Sequence, residues 1–530
     1  MSATTQEAAE TEPTQGSGRV PWHRNPRFAM IGMVCFTVLA LVLGGMGASG
    51  VALDVGTGPG LLPPYQLDRR IPDIVVAPFG WALMIFGGVC WLVALRALAY
   101  GWRPNLRRLF VGGLLMNLAA VLVPPMTSAD VTMYASYGRL FNLGIDPYTT
   151  TPAEVFRTQF DPILAVTEQP WQDALSVYGP ILLWIQSLAN HLGQNNPHNV
   201  IAWLQLSCVL ALIALSVVVV RMAGSDPQVK ARAMLLTIAS PAMAWAISFG
   251  AHNEAVAVAL VMVGFFFLRK NPWLAGLFVG LGGSAKVTVV LFGLGMLWAY
   301  RHQPRKLIAA VIGAAIPITI SYVVLFPQAL LTATQNSGYL LSTTWTAGIS
   351  YLLDPFLRWQ DLHPTLTVLS YLLMVLLVWL FSRMLPWKGA PGLAAGEDPR
   401  EDPLTIACRT TVILAAAWVF SSMWSLPWYD VMVYAPLALL GWSRFDILMA
   451  GRTALLNMSY ILARDLPYAP LAQVAQNRMR DVVSTLISVT FIVLIVLWWH
   501  RGGLRRGNHT KQPDPADDQS MVEAYRIPTS

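Results

Sequence analysis

The sequence predicts an all-α polytopic membrane protein, and three observations carry that reading. Only 12% of its 530 residues are charged while 55% are hydrophobic, whereas a soluble domain carries about 25% charged residues. Apolar stretches of roughly 20 residues, long enough to cross a bilayer as helix, recur from Phe28 to Trp499. Hydrocarbon offers no partner to an open backbone, so such stretches must be helical. The formal charge of +7 does not point to nucleic acid, because the basic residues sit in short clusters between apolar stretches. Cys35, Cys90, Cys208 and Cys408 show no metal or disulfide spacing and read as small hydrophobes.

The elements follow in order. Residues 1–27 are polar, show no cleavable signal pattern and read as a disordered cytoplasmic tail, as do residues 501–530. Residues 28–500 read as one transmembrane unit. Basic clusters mark cytoplasmic loops. Arg24 and Arg27 send a first span, Phe28–Ala48, outward. A second, Ile74–Ala97, returns to Arg96, Arg103, Arg107 and Arg108, and a third, Leu109–Pro125, exits again. Clusters at Arg221/Lys230/Arg232, Arg269/Lys270, Arg301/Arg305/Lys306, Arg383/Lys388/Arg400 and Arg501/Arg505/Arg506 then fall inward. This holds if Tyr178–Leu192 lies on the outer surface as an amphipathic juxtamembrane helix rather than spanning. The bookkeeping gives about 14 spans, including one over Phe445–Leu462. Arg69/Arg70 and Arg478/Arg480 fall outside and run against the rule. Both termini are expected in the cytoplasm. Four non-helical stretches face outward: the main loop 126–177, then Gly250–Glu254, Gln328–Asp361 and Ser425–Tyr429. Functional residues concentrate on loops held by a scaffold, so the chemistry is expected there.

Within these stretches, Asp130 lies just beyond the end of a span. It reads either as a helix cap or as a base that takes a proton from an acceptor hydroxyl. Asn142-Leu-Gly144-Ile-Asp146-Pro147-Tyr148 is a turn signal. Ser176-Val-Tyr178-Gly179-Pro180 opens the surface helix, as architecture or with Tyr178 as a contact. His252-Asn253-Glu254 places three polar groups at a membrane turn, where ionisable groups are functional candidates. Capping and a two-residue metal site are the other readings. Lys286 is the lone charge between Lys270 and Arg301, with no acid near it in sequence, so it must meet an anion or snorkel. Asn336-Ser337-Gly338-Tyr339, Thr343-Thr344-Trp345 and Ser425-Leu-Pro427-Trp428-Tyr429-Asp430 suit sugar stacking or an interfacial belt.

The order of these pieces is more specific than any one of them. An acid opening the main outer loop, Gly-x-Asp-Pro-Tyr, Tyr-Gly-Pro, His-Asn-Glu and an isolated membrane Lys resemble the GT-C glycosyltransferases. Within them, the chain is similar to the actinobacterial polyprenyl-phosphate-mannose-dependent α-1,6-mannopyranosyltransferases of lipomannan and lipoarabinomannan synthesis in the cell envelope. The likeness runs from Pro124 to Thr288, with an echo at Pro427–Tyr429. Relatives carry Arg before the acid, where this chain has Ala129, and Lys-Ala-Thr where it has Lys286-Val-Thr288.

The resemblance implies a plasma-membrane enzyme acting on the extracytoplasmic face. The donor is polyprenyl-phosphate-mannose and the acceptor an α-1,6-mannan or phosphatidylinositol-mannoside-type glycolipid, with inversion in one displacement. Asp130 is then the general base. Lys286, His252 and Arg139 face the donor phosphate, and Tyr134, Tyr178, Asn253, Glu254, Trp345, Trp428 and Tyr429 line the substrate site. No cofactor is certain, and a divalent metal stays open. Alternatives are a polyprenyl-phosphate-arabinofuranose or other lipid-linked-sugar transferase of the same fold, and a lipid-linked-sugar flippase or transporter. Against transport stands the absence of internal repeats.

Overall fold

The computed structural model describes residues 21–47, 49, 51, 62–67, 71–169, 171–335, 339–461 and 469–501. Most of the two predicted tails, Arg69/Arg70 and Asn336-Ser337-Gly338 lie outside them. The described residues are helical throughout, with no strand among them. Much of this is written in a short local code. Asn25-Pro26, Asn196-Pro197, Asp226-Pro227, Asn271-Pro272 and Asp402-Pro403 each start a helix. In each, the Asn or Asp side chain accepts an orphan backbone N–H, and proline takes the first helical position, where its missing N–H costs nothing.

Eight helices among the described residues are long and apolar enough to cross a membrane: Pro26–Met46, Asp73–Ala99, Pro197–Met222, Pro227–Ser248, Pro304–Leu325, Trp359–Met384, Pro403–Ser421 and Pro470–His500. Three shorter apolar helices, Glu254–Phe267, Pro272–Ala285 and Val287–Tyr300, add to the bundle. The predicted 14 spans are not reached on these criteria. The expected third span stops at Ala120, and Arg444–Leu456 gives way to a 3₁₀ turn with a largely buried surface. The second of these is apolar where protein covers it, which composition alone does not separate from lipid. The proposed surface helix is Pro180–Gly193, only 14 residues long.

Packing depends on small residues, as is common where lipid removes the hydrophobic drive between helices. Pro272–Ala285 lies against Pro304–Thr319, and a Cβ on Gly276 would sit 1.9 Å from the Ala310 carbonyl oxygen. Buried ion pairs tie distant segments. Arg232 holds Asp446 at 2.5 Å, and Arg452 holds Asp430. Removing one partner from such a pair strands the other charge, which typically costs about 3–5 kcal/mol. Arg232, counted in sequence among the loop cations, is therefore a core residue, only 4% exposed.

Candidate active site

Two turns are zipped together to make the acidic side. After Pro124-Pro125 the chain cannot continue as helix, and Met126 N–H donates to the Phe249 carbonyl at 2.8 Å. The helix Asp130–Asn142 starts with the Asp130 N–H donating to Ser128 Oγ at 3.2 Å. Ser128 thus takes the backbone contact and also bonds the Asp130 carboxylate, which is 19% exposed and lines a cavity. The facing turn follows a π-helical stretch, Ala244–Ser248, and passes through Ala251 in the left-handed region, φ 54°. Both features are strained and recur at functional sites.

His252 is fully buried in this turn. Its Nε2 lies 2.9 Å from Thr127 Oγ1, and its Nδ1 lies 3.6 Å from Asp130 Oδ2. Trp428 stacks on the ring, centroids 3.4 Å apart. Burial, reinforced by the Lys286 ammonium, holds His252 well below the usual imidazole range, so it is neutral. Its Nδ1 faces the Asp130 carboxylate without a hydrogen bond. Burial and the neighbouring Glu254 carboxylate push Asp130 up to about 6. A base titrating near the working pH is the useful kind for moving a proton.

Lys286 ends the helix Pro272–Ala285 in extended backbone. Expected to meet an anion or to snorkel, it pairs with the Glu254 carboxylate. The sequence hides this acid because it starts the preceding helix, 32 positions away. Lys286 Nζ also lies over two ring faces, 5.3 Å from Tyr178 and 5.1 Å from Tyr429. The Tyr-Gly-Pro motif explains the first. Gly179 N–H donates to the Ala285 carbonyl at 2.9 Å, and a Cβ there would fall 2.2 Å from the Ser284 carbonyl oxygen. Only glycine allows that approach, which lays Tyr178 on the cation.

These groups wall a cavity of about 490 Å³, within the usual range for ligand pockets, about 300–1,000 Å³. Asp130, Tyr134, Tyr178, Glu254, Lys286, Trp428 and Tyr429 all line it. Tyr134 packs edge-on against Tyr178. Asn253 is buried beside the cavity without lining it, and its amide has no hydrogen-bond partner among the described residues. Glu254 Oε2 and Thr288 Oγ1 are likewise buried and unpartnered. Buried polar atoms are ordinarily satisfied, so this wall keeps hydrogen-bonding capacity to spend on a ligand.

Four predicted residues are not in the cavity wall: Asn253, as above; His252, expected to face the donor phosphate but fully buried between Asp130 and Trp428; Arg139; and Trp345. Arg139, expected to face a phosphate, bonds Asp161 at 2.7 Å and Asn195 at 2.8 Å, and is not in the cavity wall. It sits in the last turn of a helix whose first residue is Asp130, about 14 Å of helix rise away. Trp345 donates its indole N–H to the Ser421 carbonyl at 2.9 Å and braces the wall from behind. Sequence reasoning missed Tyr137, Trp171, Trp418 and Trp424, which line the cavity. Trp171 and Trp424 lie within or beside stretches already marked, but single aromatics carry no periodic signal. It also read Arg480 only as a topological exception; its charge reaches Asp130, and it lies 5.2 Å from the Tyr460 ring. Among the described residues, no group of three His, Cys, Asp or Glu is placed to hold a metal. The divalent ion that the resemblance leaves open finds no three-ligand site here.

A family profile described as alpha-(1->6)-mannopyranosyltransferase, N-terminal domain, matches residues 28–302. Among curated proteins, the chain is 28% identical over 296 residues to alpha-(1->6)-mannopyranosyltransferase A of Corynebacterium glutamicum, covering 52% of this chain and 59% of that one. It is 26% identical over 271 residues to a probable alpha-(1->6)-mannopyranosyltransferase of Mycolicibacterium smegmatis, covering 50% and 46%. It is 28% identical over 254 residues to an alpha-(1->6)-mannopyranosyltransferase of Mycobacterium tuberculosis, covering 47% and 41%. The matches span about half the length of these relatives.

Proposed function

Because the chain belongs to the alpha-(1->6)-mannopyranosyltransferase family, we propose that it moves mannose from polyprenyl-phosphate-mannose to a 6-hydroxyl of an α-1,6-mannan or phosphatidylinositol-mannoside-type glycolipid. The reaction is an inverting single displacement at the extracytoplasmic face of the plasma membrane. The observation that carries this reading is the joint presence, in one cavity, of a partly exposed carboxylate, Asp130, and a buried cation, Lys286.

Asp130 takes the proton of the acceptor 6-hydroxyl as that oxygen attacks the anomeric carbon. The bond from that carbon to the phosphate oxygen breaks, and polyprenyl phosphate leaves with one more negative charge. Neutral His252, bonded to Thr127 and stacked on Trp428, stands beside the carboxylate without neutralising it. Lys286 is held in place by Glu254 and two ring faces. A fixed cation stabilises charge that develops at the leaving group more than charge already present, and that difference accelerates the step. Arg480 adds positive potential from the last long helix, where the π-helical stretch Met479–Val483 presents it.

The test is transfer by purified protein in lipid, offered the polyprenyl phosphates of mannose, arabinofuranose and glucose separately, with a short α-1,6-mannoside acceptor. Mannose transfer with an α-1,6 product is expected. Arabinose transfer would move the chain to the rival substrate, and no transfer from any donor would overturn the reading.

A further inference from the structure

Three cavity-lining aromatics stand apart from the charged groups. Trp171, Tyr339 and Trp424 come from three separate segments and pack on one another, with every centroid pair at 5.8–5.9 Å. All three line the cavity, and Tyr339 remains 46% exposed. The rings of an interfacial belt face outward at the membrane surface. These pack on one another in the wall of a pocket.

Their backbones are pinned, and all three rings border the cavity. Leu341 N–H donates to the Met423 carbonyl at 3.0 Å, and Trp345 Nε1–H to the Ser421 carbonyl at 2.9 Å. Ser422 Oγ accepts the Trp424 N–H at 3.1 Å. From the last long helix, Thr485 and Ser488 hydroxyls donate to the Ser342 and Thr343 carbonyls. Tyr137 OH donates to the Ala174 carbonyl at 3.1 Å and steadies the Trp171 turn. Rings fixed before a ligand arrives lose little freedom on binding it.

We infer that Trp171, Tyr339 and Trp424 form a stacking platform for sugar rings of the acceptor chain that do not react. A pyranose has an apolar C–H face, which suits an aromatic ring, and a polar rim, which suits the Tyr339 hydroxyl and the Trp171 indole N–H, the Trp424 N–H being held by Tyr429. The donor's anionic part is served elsewhere, since the ring neighbours of Lys286 are Tyr178 and Tyr429. A polyprenyl tail calls for an aliphatic wall, and this corner offers three rings with polar edges. The inference rests on the transferase reading and names the part of the site that holds the acceptor.

Tyr339 is exposed enough to truncate without unfolding the protein. Tyr339→Ala should raise KM for an α-1,6-mannotriose acceptor about ten-fold, equivalent to about 1.4 kcal/mol. Donor KM and kcat should stay within about two-fold, and Tyr339→Phe should keep most of the affinity. Trp424→Ala is the second variant. Titrating α-1,6-mannotriose into donor-free protein should change tryptophan fluorescence in the wild type and require about ten-fold more sugar in Tyr339→Ala. Unchanged acceptor KM in both alanine variants, or a rise in donor KM instead, would overturn the platform. If the wild type transfers no mannose, the transferase reading fails first, and the fluorescence titration still decides whether this corner binds mannosides.

Discussion

The cavity is walled by two regions of the chain that use the same ion chemistry for opposite ends. In the family-matched region, residues 28–302, the pair Glu254–Lys286 stands in the cavity wall beside Asp130. In the remainder, the pair Asp430–Arg452 stands behind the wall. Arg452 also bonds the Val419 carbonyl and Ser425 Oγ, each at 2.8 Å, while Asp430 accepts from Thr453. That second pair holds the 3₁₀ turn Pro427–Asp430, which presents Trp428 to His252 and Tyr429 to Lys286. One pair keeps a free carboxylate oxygen facing a ligand site, and the other has spent its capacity on the fold. Burial of a salt bridge therefore says little about role; what its remaining donors and acceptors touch says more. On this comparison, the first region places an acid and an ion pair in the cavity wall, and the second, apart from the Arg480 charge that reaches Asp130, supplies shape.

The sharpest break of that division is Asp130→Asn. It keeps the size of the side chain and the Ser128 cap but removes the base, so transfer should fall by about 10²–10⁴-fold, with protein abundance and melting temperature nearly unchanged. Activity within a few-fold of wild type would make Asp130 structural. Next comes the cavity pair. Lys286→Met should lower kcat by about 10²–10³-fold, as loss of one charge-stabilising donor does. It should also destabilise, because Glu254 is left buried alone. Adding Glu254→Gln should recover the melting temperature but not turnover. If the double variant recovers both, Lys286 is a structural cation like Arg452.

The scaffold pair should behave the other way. Arg452→Met strands Asp430, and the expected result is a clear loss of melting temperature with a modest fall in kcat, about ten-fold or less. Arg452→Met with Asp430→Asn should regain much of both. A deep loss of turnover in a double variant of wild-type stability would place this pair in the chemistry and collapse the comparison.

How far the sequence shows these roles depends on the range of the interaction. The helices are legible because apolar length and Asn/Asp-Pro starts are local signals, and Asp130 and Tyr178 are legible as cavity residues because each sits in a compact motif, whereas His252, expected at the phosphate, is buried behind Asp130. The number of spans is not, since an apolar segment covered by protein looks like one covered by lipid; Arg444–Leu456 shows this. Nor are the partners of Lys286 and Arg452, which lie 32 and 22 positions away in sequence. Arg139 misleads because helix rise carries it away from Asp130. Trp345 and Trp424 are both aromatic residues in outer stretches, and only tertiary packing decides that Trp424 lines the cavity while Trp345 braces it.

The smallest effect probes the electrostatics of Asp130. Its carboxyl is raised to about 6 by burial and then by the Glu254 charge. A base works ionised, and a raised pKa extends the protonated form to higher pH, so kcat/KM should fall as pH drops and reach about half its plateau near pH 6. His252 is already neutral there and adds no second limb in this range. Glu254→Gln removes a like charge from beside Asp130 and frees Lys286 from its counter-ion. Both changes favour the ionised carboxylate, so in the residual activity of this variant the acid limb should move below pH 6. Arg452→Met, whose charge serves Asp430 on the far side of the wall, should leave the limb where it is. A limb unmoved by Glu254→Gln would mean that burial alone sets the Asp130 pKa. A limb moved by Arg452→Met would mean that the two regions are electrically one site, and the division between charge and shape would have to be redrawn.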